Sequence, residues 1–346
     1  MKIPPRSILY FGSDSTASTS RHRADALRRL GCQVAVVDPE ELIGPRRKWQ
    51  VFLDYRTGYR WLQRRLLQSL RSSPVCGGIC PDLIWIDSGE LCGPTVLHWL
   101  ASRFSCPIIL YNVDDPTGQR DCLRFKSLIA SLPYYCLCVF VRPETALESL
   151  ALGARRVLTV HRSWDENFHV PLSGAAGLSI EPVVSFIGTS IPGERRDRFL
   201  LDLLMAGLPL QLIGNRWKRS PFWASLQHAY KGPALGGSAY AEALGSAAVS
   251  LGFLSHGNRD LITTRSLEAP ACGALLCAER TSEHQLLYED GQAAVFWSST
   301  AECIEKCRQL LDQPQRSASI RAAGFQQLQR LGVGNEDICR QILAAL

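Results

Sequence analysis

Two patterns alternate along the chain. Short apolar runs such as SILYFG, VAVVD, DLIWID, PIILYNV, CLCVFV and RVLTVH are separated by stretches with apolar positions every three or four residues, such as RADALRRLG, TVLHWLASR and ETALESLALG. Continuous apolar runs predict strands buried on both faces, and the amphipathic stretches predict helices that cover them. This rhythm predicts an open parallel sheet with helices on both faces. Gly31 and Gly153 each follow a helical stretch and precede a strand, where a left-handed helix stop belongs.

Gly, Pro and Ser without periodicity interrupt the rhythm at HVPLSGAAGLSIEP, residues 169–182, which reads as a linker. The alternation restarts with VVSFIG, RDRFLLDLLMAG, LQLIG, AYAEALGSA, VSLGFL, ALLCAE, AAVFW and AECIEKCRQLLD. The expected architecture is α/β, with two doubly wound Rossmann-like domains over residues 1–170 and 183–334, a linker over 171–182, and a ligand in the crevice they share. Residues 335–346 form a last helix that either closes the second domain or crosses back onto the first.

Composition adds bounds. At 346 residues and 46% hydrophobic, the chain buries a large core. Thirteen cysteines lie largely inside apolar runs, and Cys76 with Cys80 lacks further ligands nearby, so reduced core thiols and no metal are expected. No apolar run approaches the roughly 20 residues of a spanning helix, and the first residues lack the apolar core of a secretory signal. A cytoplasmic location is the expectation. Residues 1–75 hold 14 Lys and Arg against 6 Asp and Glu, so the net charge of +6 is concentrated there. In YRWLQRRLLQSLRS, Trp61, Leu62, Leu66 and Leu70 share a face opposite Arg64 and Arg71, a pattern that fits a surface helix or one lying on an anionic membrane.

Candidate chemistry gathers where strands hand over to helices. FIGTSIPGERRDRF places Gly188 and Thr189 ahead of Arg195, Arg196 and Arg198, an arrangement that suits a diphosphate or a solvated, helix-capping cluster. It is not a Walker loop, because GxxxxGK[ST] occurs nowhere. In GFLSHGNRDLITTRSLEAPACGA, Gly257 and Asn258 read as left-handed turn formers, and Pro270 predicts a helix starting between Ser266 and Ala269. Arg265 and Glu268 then stand at its mouth. There a carboxylate either accepts bonds from vicinal hydroxyls such as those of ribose, or complements the helix dipole and pairs with Arg265. In the first domain the strand-end carboxylates are Asp87, Asp114 and Asp115. Asp114 is the better candidate base, since Asp115 before proline reads as a turn residue. Ser20 reads as a helix cap, Arg21 or Arg23 as facing the crevice, and His161 as a structural residue or a proton acceptor.

FIGT with its arginines, FLSHGNRDLITTRSLE and APACGALLCAERTSEHQLLYEDG resemble the second domain of CgeB-like, spore maturation protein-like glycosyltransferases. STSRHRADALRRLG, DLIWIDSG, YNVDDP and LGARRVLTVHRSWDENFHVP resemble their first domain. That resemblance implies the GT-B fold, a nucleotide-sugar donor as co-substrate, and an acceptor on the first domain. The donor set it implies is Gly188, Thr189, Arg195, Asn258, Arg259, Asp260, Thr264, Arg265 and Glu268. The acceptor side would draw on Ser20, Arg21, Asp87 and Asp115, with Asp114 and His161 as candidate catalytic groups. The related family-four enzymes carry two glutamates seven residues apart. Glu268 matches the second, which would hold the ribose, whereas Asp260 stands where the first would touch the sugar. Retention of anomeric configuration would follow from that likeness.

No paired-aspartate DxD motif is present unless VDDP is forced into the role, so arginines are expected to stabilise the leaving group without metal. Two other readings stay open: a non-catalytic protein that binds nucleotide sugars or glycans, and a basic protein of a membrane surface. The clustering of the arginines beside a carboxylate, rather than along a broad basic stripe, argues against nucleic acid. The acceptor is left as a glycan, a lipid-linked glycan, a peptide or a small molecule.

Overall fold

The computed structural model describes residues 7–121, 123–171 and 180–346, so most of the expected linker lies outside the described residues. The chain divides into two compact units, one comprising residues 1–162 with 335–346, the other 163–334. Each holds one six-stranded sheet in which every pairing is parallel.

In the first unit the strands are β1 (Ser7–Phe11), β2 (Gln33–Val37), β3 (Leu83–Asp87), β4 (Ile108–Asn112), β5 (Leu137–Phe140) and β6 (Val157–Thr159). Their order is β2-β1-β3-β4-β5-β6. Successive residues of each central strand enter opposite cores. Leu9, Phe11, Ile84 and Ile86 pack on one face, and Ile8, Tyr10, Leu83 and Trp85 on the other. Burial on both faces is the physical reason that the strands read as unbroken apolar runs. The helix Asn335–Ala344 closes the second of these cores with Ile338, Cys339 and Ile342, and Arg29 Nε bonds Glu336 at 2.7 Å beside it.

The second unit holds β7 (Glu181–Ile187), β8 (Leu210–Ile213), β9 (Tyr230–Gly232), β10 (Ala247–Gly252), β11 (Leu276–Glu279) and β12 (Val295–Trp297), in the order β12-β11-β10-β7-β8-β9. β9 escaped the sequence because its three residues carry no apolar run. The second unit begins at Ser163, eight residues before the first residue expected to lie beyond the first domain, because Trp164 packs into its core and pairs with Gly334.

Local departures from expectation have specific causes. Ser18, not Ser20, caps the helix Thr19–Arg29, its Oγ accepting from the Arg21 N–H at 3.0 Å. In the helix Leu62–Ser72 the leucines Leu62, Leu66 and Leu70 are buried, but Trp61 stands ahead of it, 60% exposed. That helix is therefore a surface helix, as one of the two readings had it, with its leucine face packed on the core and not available to a membrane. The helix Arg265–Ala271 starts before the expected range and runs through Pro270. Proline has no N–H to give the Ser266 carbonyl, and the Tyr288 hydroxyl donates to that oxygen instead, at 3.0 Å.

Tyr288→Phe should therefore cost about 1–2 kcal/mol by denaturant unfolding, the range for a buried acceptor left unmet. In a Pro270→Ala background the backbone N–H returns, and the same tyrosine change should cost less; equal costs in the two backgrounds would refute the substitution of one donor for the other.

Candidate functional site

The order of the second sheet reverses between β7 and β10, and an open parallel sheet binds ligands at the carboxyl ends of the strands flanking such a reversal. β7 runs into Gly188 and Thr189, β8 into Gly214, and β10 into the loop that ends at the helix Arg265–Ala271. The first two loops touch. A Cβ on Gly214 would lie 1.9 Å from the Gly188 carbonyl oxygen, so no larger residue fits. The Gly188 N–H bonds the Ile213 carbonyl at 2.8 Å, and its own carbonyl accepts from Trp217 Nε1 at 2.8 Å. Gly188 thus sets loop spacing and has no N–H to spare for an anion.

The three arginines after β7 divide their work. Arg196 is buried and donates to the Thr189 carbonyl at 3.2 Å and the Leu254 carbonyl at 2.6 Å, tying the loops after β7 and β10 together. Arg198 pairs with Asp202 at 3.0 Å. Arg195 is exposed, sits at φ 52°, and has no carboxylate partner among the described residues. Arg216 after β8 and Arg259 after β10 are also exposed and left-handed, at φ 66° and 53°. Such backbone costs on the order of 1 kcal/mol in a residue with a Cβ and persists where the surroundings impose it. The sequence carried a signal for Arg216 that went unread: Gly-Asn-Arg occurs at 214–216 and again at 257–259. In the second copy the left-handed residue is the arginine, not Gly257 or Asn258 as expected.

Glu268 lies at the centre of a buried polar group. The Tyr240 hydroxyl donates to its Oε2, Arg265 Nη1 donates to that hydroxyl, and Arg265 Nη2 reaches the Ile187 carbonyl at 2.9 Å. Arg265 approaches Glu268 only to 3.9 Å, so the direct pair expected from the sequence is mediated by Tyr240. His169 Nε2 stands 3.7 Å from Glu268 Oε1. The Asp165 N–H donates to His169 Nδ1 at 3.1 Å, which makes Nδ1 an acceptor and places the imidazole proton on Nε2, toward the carboxylate. Tyr240 and His169 were missed because each sits in an unremarkable local pattern and reaches Glu268 only through the fold. Asp260 is buried, Asn258 and Thr264 are half-buried, and the Thr264 carbonyl accepts from the Glu268 N–H at 2.8 Å to start the helix.

A second histidine-centred link was also missed. His256 Nδ1 lies 2.8 Å from Glu194 and Nε2 2.9 Å from Glu279, joining the loop after β7, the loop after β10 and the end of β11. Burial opposes its charge, but bonds to the two carboxylates outweigh that and raise its pKa above the usual histidine range. Beneath it, His284 is held neutral by burial, with Nδ1 2.7 Å from the Glu279 carbonyl and Nε2 2.7 Å from Ser266 Oγ. A carbonyl only accepts, so Nδ1 carries the proton and the Ser266 hydroxyl donates to Nε2.

In the first unit the order reverses between β1 and β3. A cavity of about 170 Å³ opens there, lined by Gly12, Ser13, Ser20, Ser88 and Glu90 among others. Asp87 contributes to its wall but is committed: Arg23 Nε donates to it at 2.8 Å and the Tyr10 hydroxyl at 2.5 Å. The guanidinium of Arg23 lies 4.1 Å above the Tyr111 ring, so neither Arg23 nor Asp87 faces a ligand freely. Arg21 pairs with Asp14 and Asp25. Asp115 is buried and accepts from Thr145 Oγ1 at 3.0 Å, as a structural residue does. Asp114 is partly exposed, 3.6 Å from Arg124. His161 Nδ1 donates to the Arg162 carbonyl at 2.9 Å, which leaves Nε2 as an acceptor. Arg162 reaches the Val113 carbonyl at 3.4 Å, so Asp114 and His161 belong to neighbouring loops of one sheet edge. The overlooked carboxylate is Glu90. Burial raises its pKa against the opposing pull of Arg124, which lies 2.7 Å away.

Metal-ligand spacing occurs once among the described residues, at Cys277, Cys303 and Cys307, which are wholly buried between β11 and the helix Thr300–Asp312. Cys76 is buried while Cys80 is exposed.

Residues 195–343 match a protein family described as glycosyl transferase-like. No curated protein matches the chain in sequence. Among solved structures, a sucrose-phosphate synthase from Thermosynechococcus elongatus is similar over 99% of this chain and 100% of that one, with 14% identity and a TM-score of 0.70. Anabaena HepE, solved with UDP-glucose, is similar over 98% and 100%, with 12% identity and a TM-score of 0.64. An alpha-glucosyltransferase solved with UDP-glucose and DNA containing an abasic site is similar over 98% and 99%, with 12% identity and a TM-score of 0.69. The fold is GT-B, as expected, and the segment that matches the glycosyl transferase-like family covers most of the second unit and the terminal helix that packs on the first.

His256 gives this edge a pH dependence whose sign follows from its raised pKa. The stabilisation is full below the unfolded-state value near 6.5 and is lost as pH rises through the higher folded value. His256→Gln should therefore lower the melting temperature most at mildly acid pH and least at alkaline pH. A difference that is constant across that range would remove the charge-coupled link.

Proposed function

We propose that the protein transfers a sugar from a nucleotide-sugar donor, held at the β7/β10 edge of the second unit, to an acceptor held by the first. The observation that carries this reading is Glu268, a buried carboxylate oriented by Tyr240 and His169 at the switch point of a parallel sheet, with Arg195 and Arg259 exposed on adjoining loops. An ionised carboxylate offers about four acceptor positions, so a tyrosine and a histidine leave room for the two hydroxyls of a ribose. The glycosyl transferase-like match and the UDP-glucose seen in HepE and in the alpha-glucosyltransferase support the same class of donor. Membership of the CgeB-like group, and retention of configuration, belong to this proposal.

In chemical terms, the bond between the anomeric carbon and the diphosphate oxygen breaks and its electron pair leaves with the nucleoside diphosphate. The acceptor oxygen bonds to the anomeric carbon and gives up its proton. Arg195 and Arg259 would stabilise the charge that develops on the leaving group, without a metal. Glu90, on the wall of the first unit's cavity and with its pKa lifted by burial, is the preferred proton acceptor, ahead of Asp114 and His161. Twelve described cysteines are free, which suits a reducing, cytoplasmic setting.

Calorimetry with a panel of nucleotide sugars and nucleoside diphosphates tests the donor site. One family of nucleotides should bind, and Glu268→Ala should weaken it at least roughly tenfold, the loss of a charge-assisted bond of about 1.5–3 kcal/mol. Unchanged affinity in Glu268→Ala would sink the assignment. Slow hydrolysis of the bound donor, lost in a variant that still binds, separates an enzyme from a nucleotide-sugar receptor. Once an acceptor is found, Glu90→Gln should lower kcat by about 10²–10⁴ with donor binding intact.

A further inference from the structure

The basic N-terminal region contains a helix packed inside out. In Lys48–Thr57 the buried residue is Asp54, held by Arg46 at 2.9 Å, while Trp49, Val51, Phe52 and Leu53 are exposed. Trp49, Phe52 and the nearby Trp61 are each more than half exposed. Arg56, over the Phe52 ring, and Arg60, next to Trp61 in the chain, line an open cleft of about 440 Å³ with Lys126, Gln63, Thr95 and Ser127, among others. The chain builds this cleft deliberately. Gly58, at φ 64°, passes so close to Lys126 that a Cβ would lie 2.7 Å from the lysine's own, and the Ser127 hydroxyl donates to the Gly58 carbonyl. No carboxylate pairs with Arg56, Arg60 or Lys126 among the described residues, and Arg56 lies 5.0 Å from the Phe52 ring.

We infer that this face docks on an anionic bilayer, with the cleft taking the phosphodiester of a phospholipid headgroup and Trp49, Phe52 and Trp61 entering the interface around it. A free phosphate would need the three cations but not the exposed aromatics, and nucleic acid would use a longer basic stripe. A bilayer surface uses both features at once: anionic headgroups meet the cations, and tryptophan and phenylalanine settle at the boundary of headgroup and acyl chain. Contact would be peripheral, because no described helix is long and apolar enough to cross a membrane. The inference goes beyond the transfer reaction and stands whether or not the donor site is right.

The full chain would be floated with vesicles of phosphatidylcholine alone and of phosphatidylcholine mixed with phosphatidylglycerol. Binding to the mixed vesicles only, weakening as salt rises, is expected. Combining Arg56→Gln, Arg60→Gln and Lys126→Gln should weaken it on the order of 100-fold, about fivefold for each basic residue. Combining Trp49→Ser, Phe52→Ser and Trp61→Ser should also release the protein. All six positions are exposed, so melting temperatures should stay unchanged. Mixed vesicles bound equally well by either combined variant would overturn the proposal. So would a wild type that ignores all vesicles while binding inorganic phosphate or single-stranded DNA in a manner lost with the three cations.

Discussion

Parallel sheets impose the constraint from which the rest of this molecule follows. All strands of a sheet end on the same side, so their outgoing loops crowd one edge with carbonyl groups that the ladder no longer satisfies. Here arginines meet that demand. Arg196 holds the Thr189 and Leu254 carbonyls, Arg265 the Ile187 carbonyl, and Arg142 those of Val113 and Asp114 at 2.8 Å each. A guanidinium spans two loops where an ammonium would serve one, because its five donors lie in a rigid fork. The arginines thus fix the loops, and only those left over can serve a ligand.

This division explains what the sequence could and could not convey. Strands were legible because burial on both faces demands unbroken apolar runs, and the two reversals of strand order place both candidate sites at predictable edges. A cluster such as Arg195, Arg196 and Arg198 is legible as a cluster, but its division is not. Which arginine turns inward depends on whether a carbonyl from another loop, here Leu254, arrives within reach. The same holds for Asp87. Its position at a strand end is visible in sequence, whereas its engagement with Arg23 and Tyr10 comes from residues 64 and 77 positions away. Pro270 misled for a related reason, since the donor that replaces its missing N–H is a tyrosine 22 residues from the carbonyl it serves.

Glu268 shows how a carboxylate can be buried and still be available. Removing an ionised group from water is costly unless its oxygens are met, and a single direct ion pair with Arg265 would satisfy it so well that a ligand could gain little. Interposing Tyr240 changes the balance. The hydroxyl passes the polarisation of Arg265 to Oε2 as a hydrogen bond, while Oε1 faces His169 at 3.7 Å, beyond ordinary bonding distance. The carboxylate is therefore oriented by a hydrogen bond on one oxygen and by the longer histidine contact on the other. A carboxylate oriented in this way needs no rearrangement of its own neighbours to hold its position, which is what preorganisation means in physical terms.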